Sequence, residues 1–256
     1  MLACQPIDTP IEQNHKLGDD HVDQVLTNKE RYQRLVGRLI YLSHTRPDLA
    51  YAVSVVSQFM HSPNEVHMDA VHQILRILKS TPGKGLMFSK HGHLEVEGYI
   101  DANWVGSITD RKSTSGYFTF VGGNLVTWRS KKQNVMARSN AEAEYKAVSH
   151  GLCELLWLRI LMGELGFNLE KPVNLYCDNK AAISIAHNPI QFNNWIAHNP
   201  IVDRHFIKEK LTTGIISVPF VKSEDQLADI LTKAVSSRVL YSTLFKLGIR
   251  DIYAPT

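Results

Sequence analysis

Two short segments of this chain share one layout, and together they constrain its fold more than any other feature. In the first, Leu94, Val96 and Ile100 alternate with Glu95, Glu97, Tyr99 and Asp101. A period of two is that of a strand with one buried face, and it leaves Asp101 on the polar face at the strand's end. Gly98 and Gly106 bracket the stretch and mark backbone that bends or is closely approached. In the second segment, Val173, Leu175 and Cys177 alternate with Asn174, Tyr176 and Asp178. Both end in Tyr-x-Asp. If the strands are sheet neighbours, the two carboxylates lie roughly 5 Å apart, one strand spacing. Carboxylates that close repel each other unless a cation lies between them. The pattern points to a divalent-metal nuclease.

The surrounding sequence supplies a sheet for these strands. After a polar loop at 109–116, Tyr117, Thr119 and Val121 alternate with Phe118 and Phe120. Gly122-Gly123-Asn124 reads as a hairpin turn, and Leu125 to Arg129 returns as a third strand. A long helix opens at Ser139-Asn-Ala-Glu142, which has capping-box spacing, and ends near Leu165, where Gly166 can close it. Strand four covers 173–178. A short helix follows from Asn179 to about Ala186, then a helix from Asp203 to Thr212, a fifth strand from Ile215 to Val221, and a helix from Ser223 to Ala234. A final amphipathic piece holds Val239, Leu240, Leu244, Phe245 and Leu247. Three meandering strands followed by α/β crossovers predict a mixed five-stranded sheet flanked by helices, an α/β (α+β mixed) fold.

Upstream, residues 29–80 carry three amphipathic stripes. Leu35, Val36, Leu39, Ile40 and Leu42 form one; Ala50, Val53, Val56 and Phe59, running to Met60, form a second, with Pro47 near its first turn; Val71, Ile74, Leu75, Ile77 and Leu78 form the third. Residues 1–28 show little periodicity and read as an extended lead-in; their Gly18-Asp19-Asp20 lacks the apolar flanking strands of a polymerase hairpin and reads as a solvated loop. The expected organisation is therefore a lead-in over 1–28, a helical segment over 29–90 and a mixed-sheet domain over 91–250.

Bulk properties exclude several classes. With 44% hydrophobic and 21% charged residues among 256, the chain has the composition of a globular protein with a sizeable core. No apolar run is long enough to span a bilayer, and the N-terminus lacks a signal peptide's basic start and apolar core, so no membrane partner and an intracellular setting are expected. Cys4, Cys153 and Cys177 form no Cys-x-x-Cys pair, so Cys153 and Cys177 read as small buried groups rather than as a zinc or disulfide framework. A net charge of +3 suits a polyanionic partner without requiring one.

Further carboxylates are needed to hold metal beside Asp101 and Asp178, and helices offer them. Glu142 can close the capping box and pair with Lys146 at i+4. Glu144 instead shares a stripe with Ala147, Val148, Gly151 and Leu155, which should face the sheet; a carboxylate there is costly unless paired or metal-bound. Asp229 can ligate metal or pair with Lys233, and spacing leaves both open. Four such carboxylates can hold two Mg²⁺ (or Mn²⁺) ions about 3.5–4 Å apart, straddling a scissile phosphate. Arg111, Lys112, Arg129, Lys131 and Lys132 lie in the adjoining loop and strand. They can grip backbone phosphates without reading sequence, or serve as solvated charge.

Several motifs in order make the likeness specific: Tyr-Ile-Asp101-Ala-Asn-Trp, Arg111-Lys-Ser-Thr-Ser-Gly-Tyr, Ser139-Asn-Ala-Glu-Ala-Glu-Tyr, Tyr176-Cys-Asp-Asn-Lys-Ala-Ala, Val202-Asp-Arg-His-Phe-Ile and Gln226-Leu-Ala-Asp-Ile-Leu-Thr-Lys. Over about 94–247 the chain resembles the ribonuclease H domain of copia-type LTR retrotransposon Pol polyproteins. Residues 29–80 resemble the same family's end of the reverse transcriptase, in Tyr32-Gln-Arg-Leu-Val-Gly-Arg and Thr45-Arg-Pro-Asp-Leu-Ala-Tyr. The resemblance implies a ribonuclease H-like fold and a metal set of Asp101, Glu144, Asp178 and Asp229. It adds Ser113 and Asn179 to the substrate contacts. It also implies cleavage of the RNA strand of RNA–DNA hybrids, a reverse transcriptase polymerase domain as partner, and a cytoplasmic (virus-like particle) or nuclear location. The polymerase's own Tyr-x-Asp-Asp strand is absent from this sequence, so no polymerase activity is expected of it. The loop at Val221-Lys-Ser-Glu lacks the histidine that many cellular ribonucleases H carry there, which implies slower product release. Gln191–Ile201 departs from the family, and Ile-Ala-His-Asn-Pro-Ile occurs twice, at 185–190 and 196–201. The alternative reading of the whole is a catalytically inactive nucleic-acid-binding remnant.

Overall fold

A computed structural model describes residues 5, 7–13, 15, 17, 18, 25–106, 111–169, 171–188 and 201–253. Asp19-Asp20, residues 109 and 110 of the polar loop and residues 196–200 of the second Ile-Ala-His-Asn-Pro-Ile copy lie outside these residues. The chain forms two compact units. One gathers the described residues up to Met87 and from Lys233 onward; the other gathers those between Phe88 and Thr232. The expected mixed-sheet domain ran on to 250, whereas this second unit closes at Thr232.

The first unit contains the three expected helices: α1 (Lys29–Leu42), α2 (Ala50–Ser57) and α3 (Glu65–Ser80). Asn28 caps α1 by accepting from the Arg31 N–H, and Asn64 and His67 form a reciprocal capping box on α3. Pro47 opens a 3₁₀ turn before α2, where its missing N–H costs nothing. The apolar stripes meet in a core containing Tyr32, Val36, Leu39, Val53, Val56, Val71 and Ile74. The Tyr32 hydroxyl donates to the Val56 carbonyl at 2.7 Å, satisfying the one polar atom of that buried ring. Ile11 and Leu17 of the lead-in are buried in the same core, so part of that segment is packed. A two-stranded ribbon pairs β1 (Lys84–Leu86) with the chain's last strand, β7 (Ile249–Asp251), next to α7 (Ser237–Lys246). That pairing is why the C-terminal piece groups with the helices.

The second unit contains the expected five-stranded mixed sheet flanked by helices. β2 (Val96–Asn103), β3 (Thr114–Val121) and β4 (Asn124–Lys132) form an antiparallel meander, and β5 (Val173–Tyr176) and β6 (Ile216–Ser217) add in parallel, giving the order β4-β3-β2-β5-β6. Gly122 and Gly123 both take positive φ, 56° and 73°, which makes the tight β3–β4 hairpin possible. α4 (Asn140–Glu164) crosses the sheet, with Ala147, Val148, Leu152 and Leu155 among the buried residues packed with Ile100 and Leu175. α5 (Lys180–His187) and α6 (Ile201–Thr212) follow β5.

Two elements differ from expectation. The fifth strand shrinks to Ile216–Ser217 plus an isolated bridge between Cys177 and Phe220. Pro219 between them has no N–H to give a ladder. The expected helix over 223–234 is two short 3₁₀ turns, Ser223–Asp225 and Leu227–Leu231, separated at Gln226, whose ψ of 103° is extended. The Gln226 side chain caps the second turn by accepting from the Ala228 N–H instead of extending the first. Cys177 is fully buried as expected, but Cys153 lies on the exposed side of α4.

Candidate metal centre

The two Tyr-x-Asp segments are neighbours in register. Glu97 pairs with Asn174, Gly98 with Leu175 and Tyr99 with Tyr176, and the two tyrosine rings stack with centroids 4.8 Å apart. Two residues beyond each tyrosine, Asp101 and Asp178 leave matching ends of adjacent parallel strands. α4 brings Glu144 against them from its buried stripe. One carboxylate oxygen from each of Asp101, Glu144 and Asp178 lies within 4.8 Å of the others, with Asp101 and Glu144 only 4% and 3% exposed. Asp101 was expected on a polar face; that face is covered at its end by the 3₁₀ turn at Leu227–Leu231.

Burial, followed by the charges of Asp101 and Asp178, pushes the Glu144 carboxyl well above the usual carboxylate range. Burial foremost, with Glu144 second, also raises the neighbouring Cys177 thiol, which makes it an inert wall rather than a nucleophile. A buried concentration of negative charge of this kind is what a divalent cation offsets. The donors are all hard carboxylate oxygens, the set that suits Mg²⁺ or Mn²⁺ rather than a soft metal. The residues present therefore fit the implied ions.

Two hydroxyls that sequence reasoning missed hold the carboxylates. Thr232, fully buried, donates its hydroxyl to Asp101 Oδ2, and Ser223 donates to Asp178 Oδ2 at 2.7 Å. The signal for Thr232 was its position three residues after Asp229; Ser223 was expected only as the first residue of a helix. Gly116 is what lets this turn sit so close: a Cβ there would lie 2.6 Å from Leu231 Cβ and 3.0 Å from Thr232 Cγ2. Asp229 is not among the three converging carboxylates. It sits half-buried on the same 3₁₀ turn, and its carbonyl accepts from the Thr232 hydroxyl at 3.1 Å.

The remaining expected residues divide. Glu142 does the structural work expected of it: it pairs with Lys146 at 3.0 Å and accepts from the Arg138 N–H at 2.8 Å, one residue before the capping Ser139. Arg129 and Lys131 are exposed on β4, with Lys132 half-buried beside them. Arg111 is exposed and Lys112 half-buried, and Arg111 adopts a left-handed φ of 51°. Ser113, expected to touch substrate, is fully buried and accepts from the Val105 N–H at 3.4 Å, anchoring the loop after β2. Asn179, also an expected contact, has its side-chain oxygen committed to the N-cap of α5, 3.0 Å from the Ala182 N–H. Among the described residues, no helix is long and apolar enough to cross a membrane.

No family model matches the chain. It is 39% identical over 252 residues to the "Retrovirus-related Pol polyprotein from transposon RE1" of Arabidopsis thaliana, an alignment covering 98% of this chain and 17% of the relative. It belongs to the retrovirus-related Pol polyproteins of transposons. The Pol polyprotein of transposon TNT 1-94 from Nicotiana tabacum is 36% identical over 244 residues, covering 92% of this chain and 18% of the relative. The chain thus spans about one sixth of the length of these Pol polyproteins. Among solved structures, LC11 ribonuclease H1 in complex with an RNA/DNA hybrid aligns at a TM-score of 0.37 and 15% identity, covering 54% of this chain and 94% of that one. Within this Pol fragment, the second unit is a mixed α/β fold, a five-stranded sheet in the order β4-β3-β2-β5-β6 flanked by helices.

Proposed function

We propose that this Pol fragment is a ribonuclease H: a metal-dependent endonuclease that cleaves the RNA strand of RNA–DNA hybrids. The observation that carries the reading is the convergence of Asp101, Glu144 and Asp178, from two strands and a helix, on one buried point. Bound there, two Mg²⁺ or Mn²⁺ ions supply an acidified water and charge neutralisation at the scissile phosphate. The chain's own residues do the rest. Asp101, Glu144 and Asp178 hold the ions, and Asp229 is proposed as the fourth carboxylate, carried on the turn whose Thr232 orients Asp101. Burial of Asp101 and Glu144 keeps bulk water from screening the site. Exposed Arg129 and Lys131 hold the sugar–phosphate backbone of the hybrid. The helical unit is proposed to dock a reverse transcriptase polymerase domain.

The test is direct. Purified protein is mixed with a hybrid labelled on its RNA strand and Mg²⁺. Cleavage by the wild-type chain and its loss in Asp101→Asn are expected. Binding without turnover would select the inactive-remnant reading instead.

A further inference from the structure

On the flank of α4 away from the carboxylates, a second feature lies beside Arg129 and Lys131, the two residues proposed to hold the hybrid's backbone. A cavity of about 300 Å³ opens between β3, β4 and α4. The register sets Tyr117 opposite Arg129 and Ser115 opposite Lys131. α4 adds Lys146 and His150, one turn apart. Lys146 follows Glu144 by two positions, so it projects from a different side of the helix. Lys132 lines the cavity as well; Lys146 is already paired with Glu142 at 3.0 Å, so Arg129, Lys131 and Lys132 bring the positive charge, and no carboxylate is among the lining residues. At its floor sits Gln133, 4% exposed. Its side-chain amide donates to Ser115 Oγ at 2.7 Å and to the Ala143 carbonyl at 2.9 Å. The Ala143 carbonyl, which can only accept, fixes which end of the side chain is nitrogen. Its carbonyl oxygen, Oε1, is buried and has no hydrogen-bond partner among the described residues. An orphaned buried acceptor is costly, and such groups in native proteins usually have a partner.

The cations and the orphaned carbonyl ask for different things. Cations at the mouth call for an anion, while Oε1 calls for a hydrogen-bond donor and repels phosphate. One ligand meets both demands when its anionic group is followed by a hydroxyl or amine. We infer that the cavity is a nucleotide subsite, with a backbone phosphate of a polynucleotide strand against Arg129 and Lys131 and a donor of the same nucleotide on Gln133 Oε1. Arg129 and Lys131 project from one face of β4, roughly 6.6 Å apart along the strand, so they track a chain rather than clamp a single ion. The donor is either a ribose 2′-hydroxyl or a base amine. The inference rests on the reading that this chain binds nucleic acid and extends it to a defined pocket.

The experiment uses the full chain in EDTA, where the carboxylates hold no metal and cleave nothing, so its outcome is separate from that of the cleavage assay. Short fluorescent oligo(rA) and oligo(dA) are titrated at several salt concentrations. The double variant Arg129→Gln/Lys131→Gln, changed only at exposed strand positions, should bind about tenfold more weakly, and its salt slope should flatten by about 1.4, from roughly 0.7 per lost phosphate contact. The assigned Gln133 side-chain amide signal should shift on saturation. A shift with oligo(rA) alone assigns the donor to the 2′-hydroxyl, and a shift with both assigns it to the base. Unchanged affinity and slope in the double variant, or a Gln133 signal that stays in place at saturation, overturns the inference.

Discussion

Glu144→Gln separates stability from metal binding. In the wild-type protein without metal, burial and two neighbouring carboxylates hold the Glu144 carboxyl protonated at neutral pH, whereas in the unfolded chain it ionises near its usual 4.5. The folded-state value is raised, so the group costs nothing below about pH 4.5. Stability is then lost progressively as pH rises through the window between the unfolded and folded values. At pH 7 that window has been crossed for about 2.5 pH units, which at 1.36 kcal/mol each is about 3 kcal/mol. Glutamine keeps the shape and has no charge to lose. In EDTA at pH 7 the variant should therefore be more stable than wild type by up to about 3 kcal/mol, a rise in Tm of roughly 6–12 °C for a chain of this size. The difference should vanish at pH 4. Adding Mg²⁺ should raise the wild-type Tm by mass action and leave the variant unmoved. Scanning fluorimetry at both pH values, with and without Mg²⁺, reads all of this. A variant less stable than wild type in EDTA at pH 7 would refute the reasoning, because the hydrogen bond that Glu144 takes from the Ala102 backbone would then outweigh the cost of its burial.

Other perturbations follow from the same contacts. Thr232→Val removes the hydroxyl on Asp101 without changing shape; it should cost about 1–3 kcal/mol and reduce hybrid cleavage, measured by urea melts and by the labelled-hybrid assay. Gly116→Ala drives a methyl group into Leu231 and Thr232, so it should cost about 1–3 kcal/mol and displace the turn that carries Asp229, read by the same melts. Lys146→Ala leaves Glu142 buried and uncompensated and should cost about 3–5 kcal/mol, whereas the double change Glu142→Gln/Lys146→Met should recover most of that loss. Asp229→Asn should lower the cleavage rate with little change in stability; an unchanged rate would remove Asp229 from the metal set.

Much of the site could be read from the sequence because its information is local. Alternation alone put Asp101 and Asp178 at equivalent strand ends, and the register of Tyr99 on Tyr176 is the same regularity seen in three dimensions. Glu144 stood out because a carboxylate on an apolar helical stripe is anomalous wherever it occurs. What was not legible depends on contacts between distant segments. Thr232 and Ser223 matter only because a 3₁₀ turn folds back on the sheet, and the Ser-x-x-Gln spacing there mimics a helix start while Gln226 in fact breaks the turn. Ser113 and Asn179 carry polar groups that look available in a string of letters, yet the backbone N–H groups of Val105 and Ala182 take them. The fifth strand is shorter than expected because Pro219 has no N–H to give the ladder, a break that the apolar residues between Ile215 and Val221 do not reveal. Gln133 gave no signal at all: its orphaned carbonyl exists only because Ser115 and Ala143 claim its amide.

The central claim is that Asp101, Glu144 and Asp178 share a cation, and Mn²⁺ binding measured by calorimetry and electron paramagnetic resonance tests it most directly. The wild-type chain should bind Mn²⁺ with displacement by Mg²⁺, and each of Asp101→Asn, Glu144→Gln and Asp178→Asn should abolish or sharply weaken that binding while the protein stays folded. Mn²⁺ binding that survives all three substitutions, or folded wild-type protein that takes up no Mn²⁺, would contradict the account.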